Sequence, residues 1–316
     1  MSTIVITGGS GLIGTALMNH LTERGHEVII LTRGIGGNKI GKALVSKTDT
    51  KVTYACWDID KNFIEPGVIE KADYIIHLAG AGVADKRWSA KRKKEIVESR
   101  TKSGALIVKA LHETKHKVKG LICASGIGWY GPDQDPHRAF IETDPPDPAF
   151  LGETCRQWEE STSGLNDINI RRVVFRIGLV FSKEGGALTE FKKPVKYGIA
   201  AILGNGRQVV SWIHVDDLCR LILHAIEKDA LNGIYNVVSP QPVTNKNLTI
   251  QLAQKMRDKF FIPIYVPVFV LKIMVGEMSI EVLKSTTVSS KKIKETGFTF
   301  LYPTLEAAIP ALFATK

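Results

Sequence analysis

The first residues of the chain that could do chemistry are glycines in one short turn. Gly8, Gly11 and Gly14 fit the spacing G-x-x-G-x-x-G, and Gly9, followed by the last two, fits G-x-G-x-x-G. Between a strand and a helix, such a turn presents backbone N–H groups and the positive end of the helix dipole to a phosphate. We predict a dinucleotide site here; the alternative is a tight turn that holds no ligand. The predicted phosphate-binding residues are Gly8, Gly11, Leu12, Ile13 and Gly14.

The end of the second predicted strand indicates which dinucleotide is bound. An acid at this position accepts from the ribose 2′-hydroxyl of NAD, whereas an arginine suits the 2′-phosphate of NADP. The strand ends at Thr32 and Arg33, with no Asp or Glu nearby. Because a guanidinium offers a planar fork of donors to phosphate, we predict NADP(H), with Thr32 and Arg33 at the ribose. The alternative is an exposed loop arginine.

Two further strand ends carry candidate cofactor residues. Asp58, after the third predicted strand, either accepts from the adenine amino group or caps a turn. Leu78, Ala79 and Gly80 end the fourth predicted strand with mostly small side chains. Small residues there would let the backbone run close to the cofactor; a tight strand-to-loop turn is the alternative.

Strand and helix patterns alternate through the first half of the chain, which predicts a parallel sheet with helical crossovers. A glycine-rich loop follows the second strand at residues 34–41, and short helices with prolines between them mark the second half. The predicted strands are residues 3–7, 27–32, 51–56, 72–78, 121–124 and 172–177, and the predicted helices include 89–113, 151–162, 245–258, 268–275 and 280–284.

The fold class that this pattern favours is α/β: a doubly wound Rossmann sheet with a smaller C-terminal lid or substrate domain. We predict that residues 1–177, with about 209–238, form the NADP-binding domain. Residues 178–208 and 239–316 are predicted to form the smaller domain over the carboxyl ends of the strands.

The composition excludes several classes of protein. The 316 residues have a net charge of +10 and contain four scattered cysteines without a C-x-x-C pair. This cysteine usage predicts reduced thiols in the cytoplasm and no metal site. No apolar stretch is long and unbroken enough for a membrane span. The densest basic segment, at residues 86–94, lacks interleaved aromatics, so we predict a solvated helix face rather than a nucleic-acid site.

These motifs together resemble the extended and atypical short-chain dehydrogenase/reductases, in the NAD(P)-dependent epimerase/dehydratase branch. Within that branch the chain is similar to the poorly characterised "epimerase family protein" group, over essentially its whole length. The motifs that carry the resemblance are the Gly8–Gly14 turn, His77-Leu78-Ala79-Gly80-Ala81, Lys86-Arg87-Trp88, Ser99-Arg100, Trp129-Tyr130-Gly131, Trp158-Glu159, Gly204-Asn205-Gly206-Arg207-Gln208, Ser211-Trp212-Ile213-His214-Val215-Asp216-Asp217 and Gly276-Glu277-Met278. The resemblance implies a Rossmann domain that binds NADP(H), and the C-terminal segment resembles the group's own C-terminal domain. It implies no established substrate.

The superfamily's usual catalytic pair is absent. In that superfamily a Tyr-x-x-x-Lys pair follows the fifth strand, and the lysine lowers the tyrosine pKa. None of the seven tyrosines has a lysine four residues later. At the expected helix, Cys155 and Glu159 have the matching spacing. A carboxylate raises the pKa of a neighbouring thiol, so these two are weak replacements as direct acid or base; helix packing is the alternative.

Four other residues are candidates through the resemblance. Ser125, after the fifth strand, matches the superfamily's third catalytic group, and Tyr130 is a candidate substitute phenol. In the lid, Arg207 and His214 are candidates for holding a substrate phosphate or sugar. Asp216 and the aspartate after it start an apolar helix, so at least one of them is predicted to be its N-terminal cap.

Two main functions remain open. The first is an atypical NADP(H)-dependent oxidoreductase or epimerase-like enzyme that acts on a small molecule, such as a nucleotide sugar or a carbonyl compound. The second is a catalytically silent NADP(H)-binding regulator or scaffold, which the missing Tyr-x-x-x-Lys pair favours. An RNA-associated function is motivated only by the net charge. A homodimer through the long helices that flank the sheet is predicted.

Overall fold

The computed structural model describes residues 1–33, 51–135 and 137–314. The strands are β1 (Thr3–Thr7), β2 (Glu27–Thr32), β3 (Val52–Asp58), β4 (Phe63–Ile64), β5 (Tyr74–His77), β6 (Gly120–Gly126), β7 (Arg171–Ile177), β8 (Leu179–Phe181), β9 (Ile199–Leu203), β10 (Val209–Val210), β11 (Trp212–His214), β12 (Gly233–Val237), β13 (Val243–Thr244) and β14 (Ile262–Val266). The helices are α1 (Leu12–Glu23), α2 (Val68–Lys71), α3 (Ala90–Glu113), α4 (Phe150–Glu160), α5 (Ala187–Lys196), α6 (Val215–Glu227), α7 (Asn245–Arg257), α8 (Val268–Val275), α9 (Ser279–Leu283), α10 (Lys291–Glu295) and α11 (Leu305–Phe313). The glycine-rich loop predicted at residues 34–41 lies outside the described residues.

Eight strands form one large sheet in the order β12-β7-β6-β5-β1-β2-β3-β4. All neighbours are parallel except β4, which runs antiparallel to β3. The chain winds outward from β1 in both directions, since β2 lies on one side of it and β5 on the other. This confirms the predicted α/β Rossmann class. The carboxyl ends of β1, β5 and β6 therefore meet at one edge of the sheet.

Alternating apolar residues bury both faces of the central strands. In β1, Ile4 and Ile6 belong to one core cluster, and Val5 belongs to the cluster on the opposite face. Such strands are typical of parallel sheets covered by helices on both sides. Helix α1 and helix α6 pack on the first face, where Leu17 and Leu221 are fully buried.

Short polar signals define where the longest helix begins. Helix α3 was expected at residues 89–113, and it runs from Ala90 because Ser89 is its N-cap. The Ser89 side chain accepts a hydrogen bond from the backbone N–H of Arg92 at 3.2 Å. This satisfies one of the four N–H groups that lack a partner inside a helix.

The second half builds three two-stranded sheets. Strand β10 pairs with β13, β11 with β8, and β14 with β9. Residues from about 209 to 238 are predicted to belong to the Rossmann domain. Of the strands in this range, β12 joins the large sheet, whereas β10 pairs with β13 and β11 with β8, two strands that lie within the ranges predicted for the smaller domain.

Across the described ranges, none of the helices combines the length and hydropathy needed to cross a bilayer.

The cysteines Cys56, Cys123, Cys155 and Cys219 all lie in the described ranges and are free thiols. Burial raises the pKa of Cys123 to about 11.

Candidate functional site

The glycine turn closes tightly against the loop after β5. Gly8 has φ +71°, and a Cβ on it would lie 2.8 Å from the carbonyl carbon of Leu78. A Cβ on Gly14 would collide with the backbone of Gly8 and Gly9. The N–H of Gly11 donates to the carbonyl oxygen of Gly8 at 3.0 Å. Glycine is therefore required at two positions, because side chains there would fill the space that the turn needs.

The N-terminus of α1 faces out of this turn without a side-chain cap among the described residues. Its N-cap position is Gly11, which has no side chain to accept from the first N–H groups. Leu12 and Ile13 follow and are half-buried. Positive partial charge therefore remains at this helix end, which suits a phosphate. A Cβ on Gly186, in the loop before α5, would lie 2.8 Å from Leu12 Cδ2, so this loop packs over the turn.

A cavity of about 740 Å³ opens between the ends of β2 and β3 and helix α3. Arg33 lines it, and no ion pair holds that guanidinium within the part of the chain that the structure describes. Thr32, immediately before it, is the last residue of β2. The cavity is lined by Arg33, Cys56, Trp57, Asp58, Ile59, Asp60, Lys61, Glu95, Glu98, Ser99 and Lys102.

Asp58 caps a turn at the mouth of that cavity. Its Oδ1 accepts from the backbone N–H groups of Asp60 and Lys61, both at 3.1 Å. Its Oδ2 lies 3.6 Å from Lys61 Nζ. The turn-capping alternative thus describes what Asp58 does in this structure, and Asp58 also lines the cavity.

The residues after β5 are held to β1 rather than left open. The N–H of Leu78 donates to the Thr7 carbonyl oxygen at 3.2 Å, and the N–H of Ala79 donates to Thr7 Oγ1 at 3.2 Å. The next residue, Gly80, lies against Arg100, since a Cβ on it would be 3.0 Å from the Arg100 Cζ. Because this loop has mostly small side chains, Gly8 and Arg100 can approach its backbone closely.

Ser125, Glu159 and Arg176 form a buried polar unit at the end of β6. Ser125 Oγ donates to Glu159 Oε1 at 2.7 Å. Arg176 holds the same carboxylate with two bonds, from Nε at 2.8 Å and from Nη2 at 3.0 Å. Burial lowers the pKa of Arg176, but the hydrogen-bonded Glu159 carboxylate outweighs it and the net shift is upward.

This unit corrects the expectation for Glu159. Its carboxylate is 6% exposed and is engaged by a bidentate guanidinium, so it is a structural anion rather than an accessible acid or base. The Ser125 proton is committed to Glu159, so any further partner of Ser125 Oγ must donate to it, and the Cys155 thiol lies within hydrogen-bonding reach of the same oxygen.

Cys155 lies beside this unit as a buried thiol. Burial, followed by the nearby Glu159 charge, raises the pKa of Cys155 to about 11. The direction agrees with the prediction from the Cys155/Glu159 spacing. A thiol with this pKa is a weak nucleophile at neutral pH.

Tyr130 is not positioned to replace the missing phenol. The side chain is fully buried, and its hydroxyl donates to Asn236 Oδ1 at 2.7 Å while it accepts from Arg176 Nη1 at 3.0 Å. Burial raises the pKa of Tyr130 to about 12. The expectation of a proton-donating Tyr130 is corrected, because the hydroxyl is enclosed and already paired.

The lid candidates separate into one exposed and one buried residue. Arg207 is exposed on the loop between β9 and β10. His214 is 3% exposed, and its Nδ1 accepts from the N–H of Asp216 at 3.2 Å. His214 is therefore the cap of α6, which corrects both its expected substrate role and the expected aspartate cap.

Asp217, the other expected cap, instead fixes the C-terminal segment. Its two carboxylate oxygens accept from the N–H groups of Leu301 and Tyr302, both at 2.8 Å. Arg220 donates to the same carboxylate at 2.8 Å. The aspartate thus ties the start of α6 to residues that lie more than eighty positions later.

Residues 4–238 match the NAD dependent epimerase/dehydratase family. The chain belongs to this family. Residues 266–312 of this epimerase/dehydratase family member also match a domain of unknown function. An "epimerase family protein" from Staphylococcus saprophyticus is 32% identical over 315 residues, which cover 99% of each chain.

Two solved structures place this family member among its neighbours. The human epimerase family protein SDR39U1 (isoform 2), crystallised with NADPH, superposes with a TM-score of 0.84 at 27% identity and covers 98% of each chain. The UDP-glucose 4-epimerase of Thermotoga maritima, solved with UDP-glucose, has a TM-score of 0.77 at 21% identity. It covers 98% of this chain and 97% of its own and shows the shared fold.

Motifs from the two halves of this epimerase/dehydratase family member meet beside α3. A Cβ on Gly276 would lie 3.0 Å from Arg87 Nη2, and Lys93 is paired with Glu277. The expectation of a solvated face at residues 86–94 is therefore wrong in part. Arg92 is also 6% exposed and paired with Glu95 at 2.8 Å, so some of these basic side chains pack rather than face solvent.

Three buried residues of this family member were missed as site residues. His77 contacts Thr7 Oγ1 at 2.8 Å and Ser103 Oγ at 3.3 Å, and burial lowers its pKa to about 4. Arg176 was identified only as part of a strand. Arg100 entered the sequence analysis only as part of the Ser99-Arg100 motif. It lies at helical spacing from Ile96 and Ser103, both buried, and this spacing could have indicated that the Arg100 side chain faces inward.

Proposed function

We propose that the protein binds NADP(H) and transfers hydride between the nicotinamide and a small molecule with a carbonyl or hydroxyl group. The observation that carries the proposal is the position of Arg33, without an ion pair in the described part of the chain, in the cavity at the end of β2, the strand that pairs with β1. Membership in the NAD dependent epimerase/dehydratase family supports a nicotinamide cofactor. The human relative that was crystallised with NADPH supports the phosphorylated form.

The residues present fit a dinucleotide. Gly8 and Gly14 leave space that a Cβ would fill, and the N-terminus of α1 is uncapped by described side chains. The diphosphate would lie at the start of α1, where the backbone N–H groups of Leu12 and Ile13 have no side-chain cap, while the Gly11 N–H shapes the turn by donating to the Gly8 carbonyl oxygen. Thr32 and Arg33 would hold the 2′-phosphate, since the lysines that line the same cavity are already paired, Lys61 with Asp58 at 3.6 Å and Lys102 with Glu98 at 3.2 Å. These assignments, with Asp58, Leu78, Ala79 and Gly80, are proposals.

When bound, the cofactor supplies or accepts the hydride, and the protein must position the oxygen of the substrate. We assign that task to Ser125. Glu159 fixes the orientation of the Ser125 hydroxyl, and Oγ can accept from the hydroxyl of an alcohol substrate at the end of β6. In the carbonyl-reducing direction, water supplies the proton that the substrate oxygen takes up when the hydride is transferred. Cys155, which has a pKa of about 11, contributes shape rather than a proton at neutral pH.

The substrate is proposed to lie between the carboxyl ends of the strands and the lid formed by residues 178–208 and 239–316. Arg207 is exposed on that lid and could form a bidentate contact to a phosphate. Nucleotide sugars are the substrates named for the UDP-glucose 4-epimerase neighbour, which supports that class for this chain alongside simple carbonyl compounds.

A second function, that of an NADP(H)-binding regulator without turnover, is favoured by one observation. The helix position that carries the phenol in this superfamily holds the buried Cys155, and the Ser125 proton is already donated to Glu159. A protein with this arrangement can hold the cofactor and lack a strong general acid.

The experiment that separates the two is single turnover with labelled cofactor. NADPH that carries deuterium at the transferable position is bound to the protein and incubated with pools of carbonyl compounds and nucleotide sugars. We expect deuterium in at least one product, and a roughly 10- to 100-fold slower rate in Ser125→Ala with unchanged NADPH affinity. Ser163→Ala, on an exposed serine, is the matched control. Tight NADPH binding with no deuterium transfer to any compound would contradict the enzyme and support the regulator.

A further inference from the structure

Arg100 is a buried guanidinium without a carboxylate partner in the described ranges. Its side chain projects from the middle of α3 and the residue is 8% exposed. The other arginine of α3, Arg92, is buried to a similar degree and pairs with Glu95 at 2.8 Å. A buried cation without an anion is costly, because the interior solvates charge poorly.

The hydrogen bonds of Arg100 leave most of its donors unused. Nη1 donates to the carbonyl oxygens of Ala81 at 3.0 Å and Ile96 at 2.9 Å. Nε and Nη2 donate to no acceptor among the residues that the structure describes. Both nitrogen atoms keep some exposure to solvent. The Nε and Nη2 N–H groups, which can together donate two parallel hydrogen bonds to an oxyanion, are therefore available.

Arg100 lies between the loop after β5 and helix α4, the two elements that carry the candidate residues Gly80 and Cys155. Gly80 follows β5, and a Cβ there would lie 3.0 Å from Arg100 Cζ. The ring of Trp158, on α4, has its centroid 4.8 Å from the same carbon. One turn earlier on α4, Cys155 occupies the position of the superfamily phenol and interacts electrostatically with Arg100.

A second donor beside Arg100 also lacks an acceptor. Trp158 Nε1 is buried and has no hydrogen-bond partner within the described chain. Buried donors are nearly always paired in native proteins, so an orphaned one beside an unpaired cation calls for an explanation. Burial lowers the pKa of Arg100, as expected for a cation that lacks a counter-charge.

We propose that Arg100 binds an anionic group of the substrate, a carboxylate or a phosphate, between the loop after β5 and helix α4. The proposal rests on the proposed NADP(H) function and names the substrate class of that same site: an oxyanion-bearing carbonyl or hydroxyl compound. The Arg100 fork would orient the substrate against Gly80 and Ser125. It would replace, by charge and geometry, part of the positioning that a tyrosine hydroxyl performs elsewhere in the superfamily.

The test uses NADP⁺-loaded protein and two probe anions, malonate and inorganic phosphate, titrated calorimetrically at constant ionic strength. Malonamide is the neutral control for malonate. We expect wild-type protein to bind at least one of the two anions and not malonamide. Arg100→Gln should weaken that binding at least ten-fold, while the affinity for NADP⁺ changes less than three-fold.

Two further variants keep the result interpretable. Arg100→Lys retains the charge but loses the fork, and we expect a smaller loss of anion affinity than in Arg100→Gln together with a preserved melting temperature. Arg156→Gln, on the exposed face of α4, should bind the anions as wild type does. The Lys variant decides the question if the Gln variant fails to fold.

Three outcomes would overturn the proposal. Wild-type protein that binds neither anion has no such site. An Arg100→Gln variant with undiminished anion affinity shows that Arg100 is not the binding group, and a folded Arg100→Lys variant with undiminished affinity shows that the guanidinium fork does not hold the anion. Equal losses of NADP⁺ and anion affinity in Arg100→Gln would assign the guanidinium to the cofactor diphosphate instead. Failure of wild-type protein to bind NADP⁺ at all is a separate result, which would contradict the proposed function.

Discussion

Glu159 carries its charge in the interior because Arg176 meets it with two hydrogen bonds. The two residues are 6% and 1% exposed, respectively. Ser125 adds a third bond to the carboxylate at 2.7 Å. Removing one member of a buried pair leaves the other charge without compensation, which costs far more than the net stabilisation by the pair.

At this scale we predict that Glu159→Ala lowers the free energy of unfolding by about 3–5 kcal/mol, because Arg176 stays buried and unpaired. The double variant Glu159→Leu/Arg176→Met should lose much less than the two single losses combined. Urea denaturation measures both. Arg156→Gln is the control, since Arg156 pairs with Glu153 at the surface, where solvent screens the charges. A Glu159→Ala loss no larger than that of Arg156→Gln would contradict the account.

The role of Glu159 could not be predicted from the local sequence. The spacing of Cys155 and Glu159 correctly placed both on one helix face and indicated a raised thiol pKa. The carboxylate's partner, Arg176, lies on β7, seventeen residues later. That contact depends on the parallel pairing of β6 with β7, which brings Ser125 beside Arg176. No pattern within a single element indicates it.

At the scale of elements, the strand–turn–helix unit β1–α1 is the most predictable part of the molecule. The expected strands at residues 3–7 and 27–32 agree with β1 and β2, and the expected helix at 268–275 agrees with α8. Apolar runs and glycine turns are local signals, so they predict such elements well. The pairing of β10 and β11 outside the large sheet is a contact between distant segments and was not predictable from periodicity.

We predict that Gly14→Ala destabilises this unit by about 1–3 kcal/mol, because the added Cβ meets the backbone of Gly8 and Gly9. The same shift of the turn should weaken NADPH binding by about ten-fold or more. Melting temperature and NADPH fluorescence titration measure the two effects.

Gly164→Ala is the matched control for that substitution. Its added Cβ would lie 3.6 Å from Val108 Cγ1, an ordinary contact. We expect it to leave NADPH affinity unchanged. If Gly14→Ala bound NADPH as tightly as Gly164→Ala does, the glycine turn would not be the phosphate site.

At the scale of the whole molecule, His77 links stability to pH. Burial lowers its pKa from 6.5 to about 4. An unfolded chain therefore takes up a proton on this histidine at a pH at which the folded chain does not. The resulting stability is fully present above about pH 6.5 and is lost as the pH falls toward 4. The buried His214 shifts in the same direction.

We predict that the free energy of unfolding falls by an amount on the order of 3 kcal/mol between pH 7 and pH 4 through His77 alone. Urea denaturation at a series of pH values measures the total slope. The difference between wild type and His77→Asn isolates this histidine, and the exposed His137 gives the control variant His137→Asn. Identical slopes in wild type and His77→Asn would show that His77 does not titrate abnormally.

The claim on which the account depends most is that the glycine turn and Arg33 together hold NADP(H). The direct measurement is a fluorescence titration of wild type and Arg33→Gln with NADPH and with NADH. Arg24→Gln is the control, because Arg24 lies in an exposed ion pair with Glu227. We predict that wild type binds NADPH about 10- to 100-fold more tightly than NADH. This ratio corresponds to the free energy of one charge-assisted hydrogen bond, about 1.5–3 kcal/mol. Arg33→Gln should abolish that preference, and Arg24→Gln should keep it. Equal affinities for the two cofactors in wild type, or an equal loss of both in Arg33→Gln, would contradict it.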